Sequence, residues 1–226
     1  SVLEPWEAAT GGTLVEGYGL SECSPVLMAN PVGPTRRAGT VGLPLPATEA
    51  RVVDRDDPTK DVAEGAEGEL VVRGPQVFSG YWNKPEETAK VFVADPAGGM
   101  PWFRTGDIVT IDPDGFVKIV DRIKELVITG GFNVAPTEVE DVLRRHPSIA
   151  DAAVVGLPDP VQGEAVVAAI VLAPGATLDE DALRAFARET LTPYKVPKQF
   201  VVIDELPRSL IGKVLRKQVK ERLLAG

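Results

Sequence analysis

The chain changes character near residue 122, and that change limits the folds open to it. Before it, strand-like runs at 49–53, 69–73, 108–111 and 116–120 are separated by turn signals such as Glu64-Gly65 and Asp112-Pro113-Asp114-Gly115. Proline presets φ and glycine supplies the backbone freedom of a tight reversal, so Asp112 to Gly115 reads as a hairpin turn. Residues 48–121 are therefore expected to form a β-rich subdomain, a distorted barrel. From about residue 125 onward, helical and strand-like segments alternate instead.

In that second region Thr137-Glu138-Val139-Glu140 reads as a capping box opening a helix, with Val139, Val142 and Leu143 on one face. Thr177-Leu178-Asp179-Glu180 reads as the cap of another, with Leu183, Phe186 and Ala187 inward. The apolar, β-branched runs 151–155 and 166–172 suit buried strands, 200–203 a further short strand, and 214–224 a final helix. Together they make residues 125–226 a compact α+β domain. Residues 1–47 are rich in Gly, Pro and Thr, with one short apolar stretch before Gly17. They fit the last, parallel strand and loop of a larger α/β domain. The expected fold class is thus mixed α+β, in three parts: the remnant of an α/β domain, a β-rich subdomain and a C-terminal α+β domain.

With 226 residues and 44% apolar content the chain can bury ordinary cores. A net charge of -9 argues against non-specific nucleic-acid binding, which relies on Lys and Arg to neutralise phosphates. The charge is uneven. From Lys195 on there are eight basic residues (Lys195, Lys198, Arg208, Lys213, Arg216, Lys217, Lys220, Arg222) against Asp204, Glu205 and Glu221. Such a tail suits the steering of phosphates or contact with anionic lipid heads, or is simply a solvated helix face. The single cysteine, Cys23, excludes an intramolecular disulfide and fits a reducing cytoplasm. A cysteine nucleophile would want a nearby base, and the one histidine, His146, sits in a His-Pro helix end. No run approaches the roughly eighteen apolar residues of a membrane span, so any membrane contact is peripheral.

Chemistry concentrates in four strings: Gly17-Tyr18-Gly19-Leu20-Ser21-Glu22, Arg104-Thr105-Gly106-Asp107, Asp121-Arg122-Ile123-Lys124 and Pro207-Arg208-Ser209-Leu210-Ile211-Gly212-Lys213. Flanking glycines bring the Tyr18 backbone close to a ligand and leave its ring face open for stacking, although a turn tyrosine is the plainer alternative. Ser21 and Glu22 pair a hydroxyl with a carboxylate, hard oxygen ligands suited to a phosphate and its Mg²⁺. Asp107 can accept two hydrogen bonds, matching a pair of neighbouring hydroxyls, or be a turn or N-cap aspartate beside Gly106. Gly130 and Gly131 either let the backbone pass a narrow ligand or form a hairpin turn. Lys213, on a glycine-containing loop, is a mobile point charge, whereas Arg216 and Lys217 read as helix-face charges.

With Gly74-Pro75-Gln76-Val77, Gly80-Tyr81-Trp82 and Gly130-Gly131-Phe132-Asn133-Val134, these strings resemble the adenylate-forming (AMP-forming) acyl-CoA synthetase superfamily over essentially the whole chain. The resemblance is closest to bacterial long-chain fatty-acid CoA ligases. It implies that Tyr18 and Gly19 lie at adenine and that Ser21, where the family usually has threonine, lies at phosphate. It likewise implies that Glu22 is a catalytic Mg²⁺ ligand, Asp107 holds the ribose hydroxyls and Arg122 contacts the nucleotide. Residues 122–124 are then a hinge centred on Lys124, Gly130 and Gly131 line the pantetheine tunnel, and Lys213 is the catalytic lysine of adenylation. ATP, Mg²⁺ and CoA are the implied cofactors, and a fatty acid or other carboxylate the substrate. The implied setting is cytoplasmic, compatible with peripheral contact at the inner face of the membrane and with a homodimeric parent.

Members of this superfamily are more than twice as long and carry an upstream Ser/Thr/Gly-rich phosphate loop that does not occur here. The chain is therefore expected to be the C-terminal part of such an enzyme, inactive alone because no cradle of backbone N–H groups holds the triphosphate. The acyl pocket would lie largely upstream. Aryl, short-chain or amino acids as substrate, and a non-catalytic nucleotide- or acyl-CoA-binding module, remain open alternatives.

Overall fold

A computed structural model of the protein describes residues 3–95, 97–210 and 212–225; Ile211, within the lysine-bearing string, lies outside them. The chain divides between Ile123 and Lys124 into two compact units. Among the described residues no helix is long and apolar enough to cross a membrane.

The first unit begins with α1 (Leu3–Thr10), followed by β1 (Gly17–Gly19), β2 (Val26–Ala29) and β3 (Leu43–Pro44) in one sheet of order β1-β2-β3. All its pairings are antiparallel, which corrects the expectation of a parallel strand. The physical cause is the reversal straight after β1, a 3-10 turn at Ser21–Cys23 closed by Ser24 in the left-handed region (φ 52). Gly19 is required there: a Cβ would fall 1.8 Å from the Pro25 carbonyl oxygen.

The strands that follow are β4 (Glu49–Val53) and β5 (Gly68–Arg73), then, after α2 (Pro85–Val91), β6 (Phe92–Val93), β7 (Trp102–Ile111) and β8 (Val117–Arg122). They form one antiparallel sheet of order β4-β5-β7-β6, with β8 also on β7. The Asp112–Gly115 turn is the hairpin read from the sequence. Asp112 Oδ1 accepts from the N–H groups of Asp114 (3.0 Å) and Phe116 (2.9 Å), and Gly115 sits at φ 88. The ten-residue β7 takes β6 on its Trp102 end and β8 on its Ile111 end. Val117 of β8 in turn bonds Val41 and Gly42, just before β3. Tyr18, Cys23, Leu27 and Met28 consequently share one core with Leu70, Val72, Phe103, Val109 and Val117, so residues 1–47 and 48–121 are packed as a single body.

The second unit comprises β9 (Val127–Thr129), β10 (Phe132–Val134), α3 (Pro136–Leu143), β11 (Ile149–Asp159), β12 (Gly163–Leu172), α4 (Glu180–Arg188), β13 (Gln199–Val202) and α5 (Arg216–Ala225). Its sheet runs β10-β9-β12-β11, with β13 parallel to β12. Helices cover both faces. Ala152, Val154, Ala168 and Ile170 pack with Val139, Val142 and Leu143 of α3 and Leu183 of α4, whereas Ala153, Val155 and Ala169 pack with Val219 of α5. A strand covered on both sides needs no polar alternation, which is why these runs read as continuously apolar.

One helix start is corrected. The expected capping box does not form: α3 begins at Pro136 after Ala135, which makes no side-chain cap. Proline is favoured at the first position, where its φ is preset for the helix and its missing N–H is not needed, so the helix opens at Pro136, ahead of Thr137. Thr137 and Glu140 thus lie inside the helix, and both are bonded to Arg216. The second cap is as read, with Asp179 accepting from the Ala182 N–H at 2.9 Å.

Candidate functional site

Asp107 is the buried carboxylate at the centre of the first unit's polar site, 2% exposed. Tyr18 donates its hydroxyl to Oδ2, and Arg122 Nε donates to Oδ1 at 2.8 Å. The register explains the meeting: Asp107 pairs with Arg122 across β7 and β8, while Tyr18 reaches it from the neighbouring sheet. Arg122 keeps its side chain 55% exposed, so the guanidinium spans buried acid and solvent. Burial, then the Asp107 charge, pushes the Tyr18 phenol well above its ordinary pKa. The open ring face expected of Tyr18 is corrected: at 8% exposure the ring belongs to the core, and what it presents is a hydroxyl to Asp107.

Ser21 and Glu22 occupy the 3-10 turn that follows, Ser21 exposed and Glu22 half-buried. Glu22 Oε1 accepts from the Tyr81 hydroxyl at 2.9 Å. Burial, then that bond, raises the Tyr81 pKa and keeps Tyr81 a donor. Among the described residues no hydrogen bond is found to Glu22 Oε2, and one carboxylate beside the Ser21 hydroxyl fits Mg²⁺, which keeps several waters and takes phosphate oxygens. Among the described residues no group of three or more His, Cys, Asp or Glu could hold a metal by itself. Cys23 is fully buried, and burial followed by the Glu22 charge pushes its thiol up to about 11, far from a nucleophile's range.

In the second unit, Gly130 (φ 57) and Gly131 (φ 82) form the two-residue turn between β9 and β10, both at positive φ as such a hairpin requires. Beside them Phe132 stacks on Tyr194 with ring centroids 4.4 Å apart, and Ile128 is 56% exposed. Sequence reading missed both exposed apolar side chains, which lie on opposite faces of the hairpin, since Ile128 and Phe132 sit on short strands without a distinctive pattern. Lys124 is exposed in a 3-10 turn, Ile123–Glu125.

Lys213 is exposed, and no partner of its ammonium is found among the described residues. Its loop is nonetheless pinned at both ends. Ser209 and Lys213 exchange bonds (2.8 and 3.2 Å), Arg208 bonds the Gly212 carbonyl at 2.5 Å, and Arg208 also pairs with Asp151. Past the lysine, Arg216 Nε donates to Glu140 Oε1 at 2.8 Å and Nη2 to Oε2 at 2.7 Å, with Glu125 a further partner. Arg144 bridges Asp151 and Glu140 at 3.1 and 3.3 Å. Arg216 is therefore no helix-face charge; its side chain is 19% exposed. Lys195, Lys198, Lys217 and Lys220 are ion-paired within the unit too, so most of the basic tail is internally neutralised; among the described residues Lys213 and Arg222 are the tail's two cations outside these ion pairs.

Residues 1–82 match the model of the AMP-binding enzyme family, and residues 138–213 that of the AMP-binding enzyme C-terminal domain. The long-chain-fatty-acid–CoA ligase of Salmonella typhimurium is 46% identical over 97% of this chain, which spans 38% of that relative's length. The crystal structure of ATP-bound MatB from Rhodopseudomonas palustris superposes with a TM-score of 0.87 at 39% identity, over 97% of this chain and 42% of that one. The anthranilate CoA ligase AuaEII, in complex with anthranoyl-AMP, does so with a TM-score of 0.80 at 28% identity, over 99% of this chain and 43% of that one. The chain belongs to the adenylate-forming, AMP-binding enzymes.

Proposed function

We propose that the protein carrying this chain is an AMP-forming acid–thiol ligase that joins a long-chain fatty acid to CoA through an acyl-adenylate. The observation that carries the reading is Asp107, a buried carboxylate with one oxygen on Tyr18 and the other on Arg122. Each carboxylate oxygen accepts more than one hydrogen bond, so both remain able to take a ribose hydroxyl. Gly19 and the Tyr18 backbone lie toward the base, Arg122 touches the nucleotide, and Ser21 and Glu22 serve its phosphates. Magnesium held by Glu22 would neutralise phosphate charge. The long-chain assignment is supported by the Salmonella typhimurium relative and by that of Bacillus subtilis, also 46% identical.

In the first half-reaction a carboxylate oxygen attacks the α-phosphorus and pyrophosphate leaves. In the second the CoA sulfur attacks the acyl carbon and AMP leaves, so no protein nucleophile is needed. Lys213 supplies positive charge where two anions meet in the first step. Gly130 and Gly131 line the path of the pantetheine arm, and Lys124 is the hinge between the two half-reactions. The free, buried Cys23 is consistent with a reducing cytoplasm.

Full-length protein given MgATP, CoA and a mixed pool of carboxylic acids should yield long-chain acyl-CoA by mass spectrometry. Aryl esters alone, the outcome that the anthranilate ligase neighbour favours, would keep the adenylation reading and overturn the substrate. Lys213→Ala should slow adenylate formation by roughly 100- to 1000-fold yet leave thioester formation from supplied acyl-adenylate nearly intact. Equal loss in both steps sinks the role given to Lys213.

A further inference from the structure

Strand β5 is buried along its middle, with Leu70, Val71 and Val72 at most 1% exposed, yet it carries a carboxylate, Glu69, that is itself 1% exposed. A buried charge is costly, and well-packed apolar replacements are often as stable, so packing alone does not account for an acid here. Both Glu69 oxygens are committed to β7. Oε2 accepts from Arg104 Nε at 2.9 Å and Nη2 at 2.5 Å, and Oε1 accepts from the Gly106 N–H at 3.2 Å.

These contacts straddle an irregularity in the sheet. Glu69 pairs with Ile108 and Val71 with Arg104, so Thr105, Gly106 and Asp107 together face Leu70 alone. Such a bulge re-aims side chains and leaves backbone groups without ladder partners. Two side chains supply them: Glu69 for the Gly106 N–H, and Thr105 Oγ1 for the Asp107 N–H at 3.2 Å while it donates to the Leu70 carbonyl at 2.8 Å. Gly106 sits at φ 73, a conformation that a side chain would strain. Asp107 is the residue this bulge delivers to Tyr18 and Arg122.

We infer that Glu69 is a positioning residue for nucleotide recognition: by holding the Gly106 peptide and Arg104, its carboxylate sets the direction in which Asp107 meets the ribose hydroxyls. The inference rests on the reading of Asp107 as the hydroxyl ligand. A residue that only supports the fold weakens every nucleotide alike, whereas one that aims Asp107 governs the difference between nucleotides that have both hydroxyls and those that lack one.

The test is calorimetric binding of ATP, 2′-deoxyATP and 3′-deoxyATP to the full-length protein and to its Glu69→Gln and Glu69→Met variants. Arg104 and Gly106 bond different oxygens of Glu69, so glutamine, which replaces one of them with an NH₂ donor, meets one of these two donors with a donor. Methionine removes the buried charge while Arg104, 28% exposed, can turn to solvent, so this variant is expected to fold. The wild type should bind ATP on the order of 10-fold or more tighter than either deoxynucleotide. In the variants that ratio should fall to about 3 or less, with deoxynucleotide affinity nearly unchanged. A wild-type ratio kept in the variants, or equal weakening of all three nucleotides, overturns the role of Glu69 and leaves Asp107 standing. An indifferent wild type overturns the Asp107 reading itself, and this inference with it.

Discussion

Tyr18 is kept protonated by its surroundings, since burial and the Asp107 charge both oppose the phenolate. Its folded pKa is raised above the unfolded value, so the associated stability is fully present below about pH 10 and is lost as pH rises further, when only the unfolded chain releases the proton. Tyr18→Phe should therefore flatten the fall of the melting temperature above about pH 10, while at neutral pH it should cost about 1–3 kcal/mol through the lost bond to a buried carboxylate. Thermal unfolding followed across pH checks both; an unchanged alkaline slope would show that Tyr18 ionises freely. At this scale the sequence was a partial guide. The residue type at 107 pointed to hydroxyl chemistry and that at 18 to a stacking ring, but the burial of the Tyr18 ring follows from the β1–β2 reversal that folds it onto β7, and nothing within a few residues of Tyr18 records that.

Among the elements, α3 and α5 show how a local pattern is overridden. Thr137 and Glu140 have the spacing of a capping box, yet Pro136 opens the helix and Arg216, from the start of α5, takes both side chains. Glu140 is 3% exposed and also accepts the Val154 N–H at 2.8 Å, which ties α3 to β11. Arg216→Met should destabilise the second unit by about 3 kcal/mol, because it leaves a buried carboxylate with Arg144 as its remaining charged partner. Hydrogen exchange should show faster exchange in α3 and β11 and little change in the first unit. Uniform exchange rates across both units would argue that the network contributes nothing. The helices themselves were legible from apolar spacing at 139–143 and 183–187, since that periodicity is written within one turn.

At the scale of the whole molecule, the division between Ile123 and Lys124 falls in the 3-10 turn Ile123–Glu125. Proline at 124 fixes φ there and restricts the residue before it. In the full-length protein Lys124→Pro should slow thioester formation on the order of tenfold more than adenylate formation, read by timing the two half-reactions separately. Normal rates in both would sink the hinge assignment. By itself the sequence determined the family and the local features: the Asp112–Gly115 turn, the Asp179 cap and the strand runs, each set by interactions within a few residues. Tertiary structure alone decided that Tyr18 meets Asp107 across 89 positions, Glu69 the Gly106 N–H across 37 and Arg216 Glu140 across 76. The reason is energetic. A buried carboxylate is tolerated only where donors converge on it, and that convergence is a property of packed strands and helices rather than of any segment of the chain.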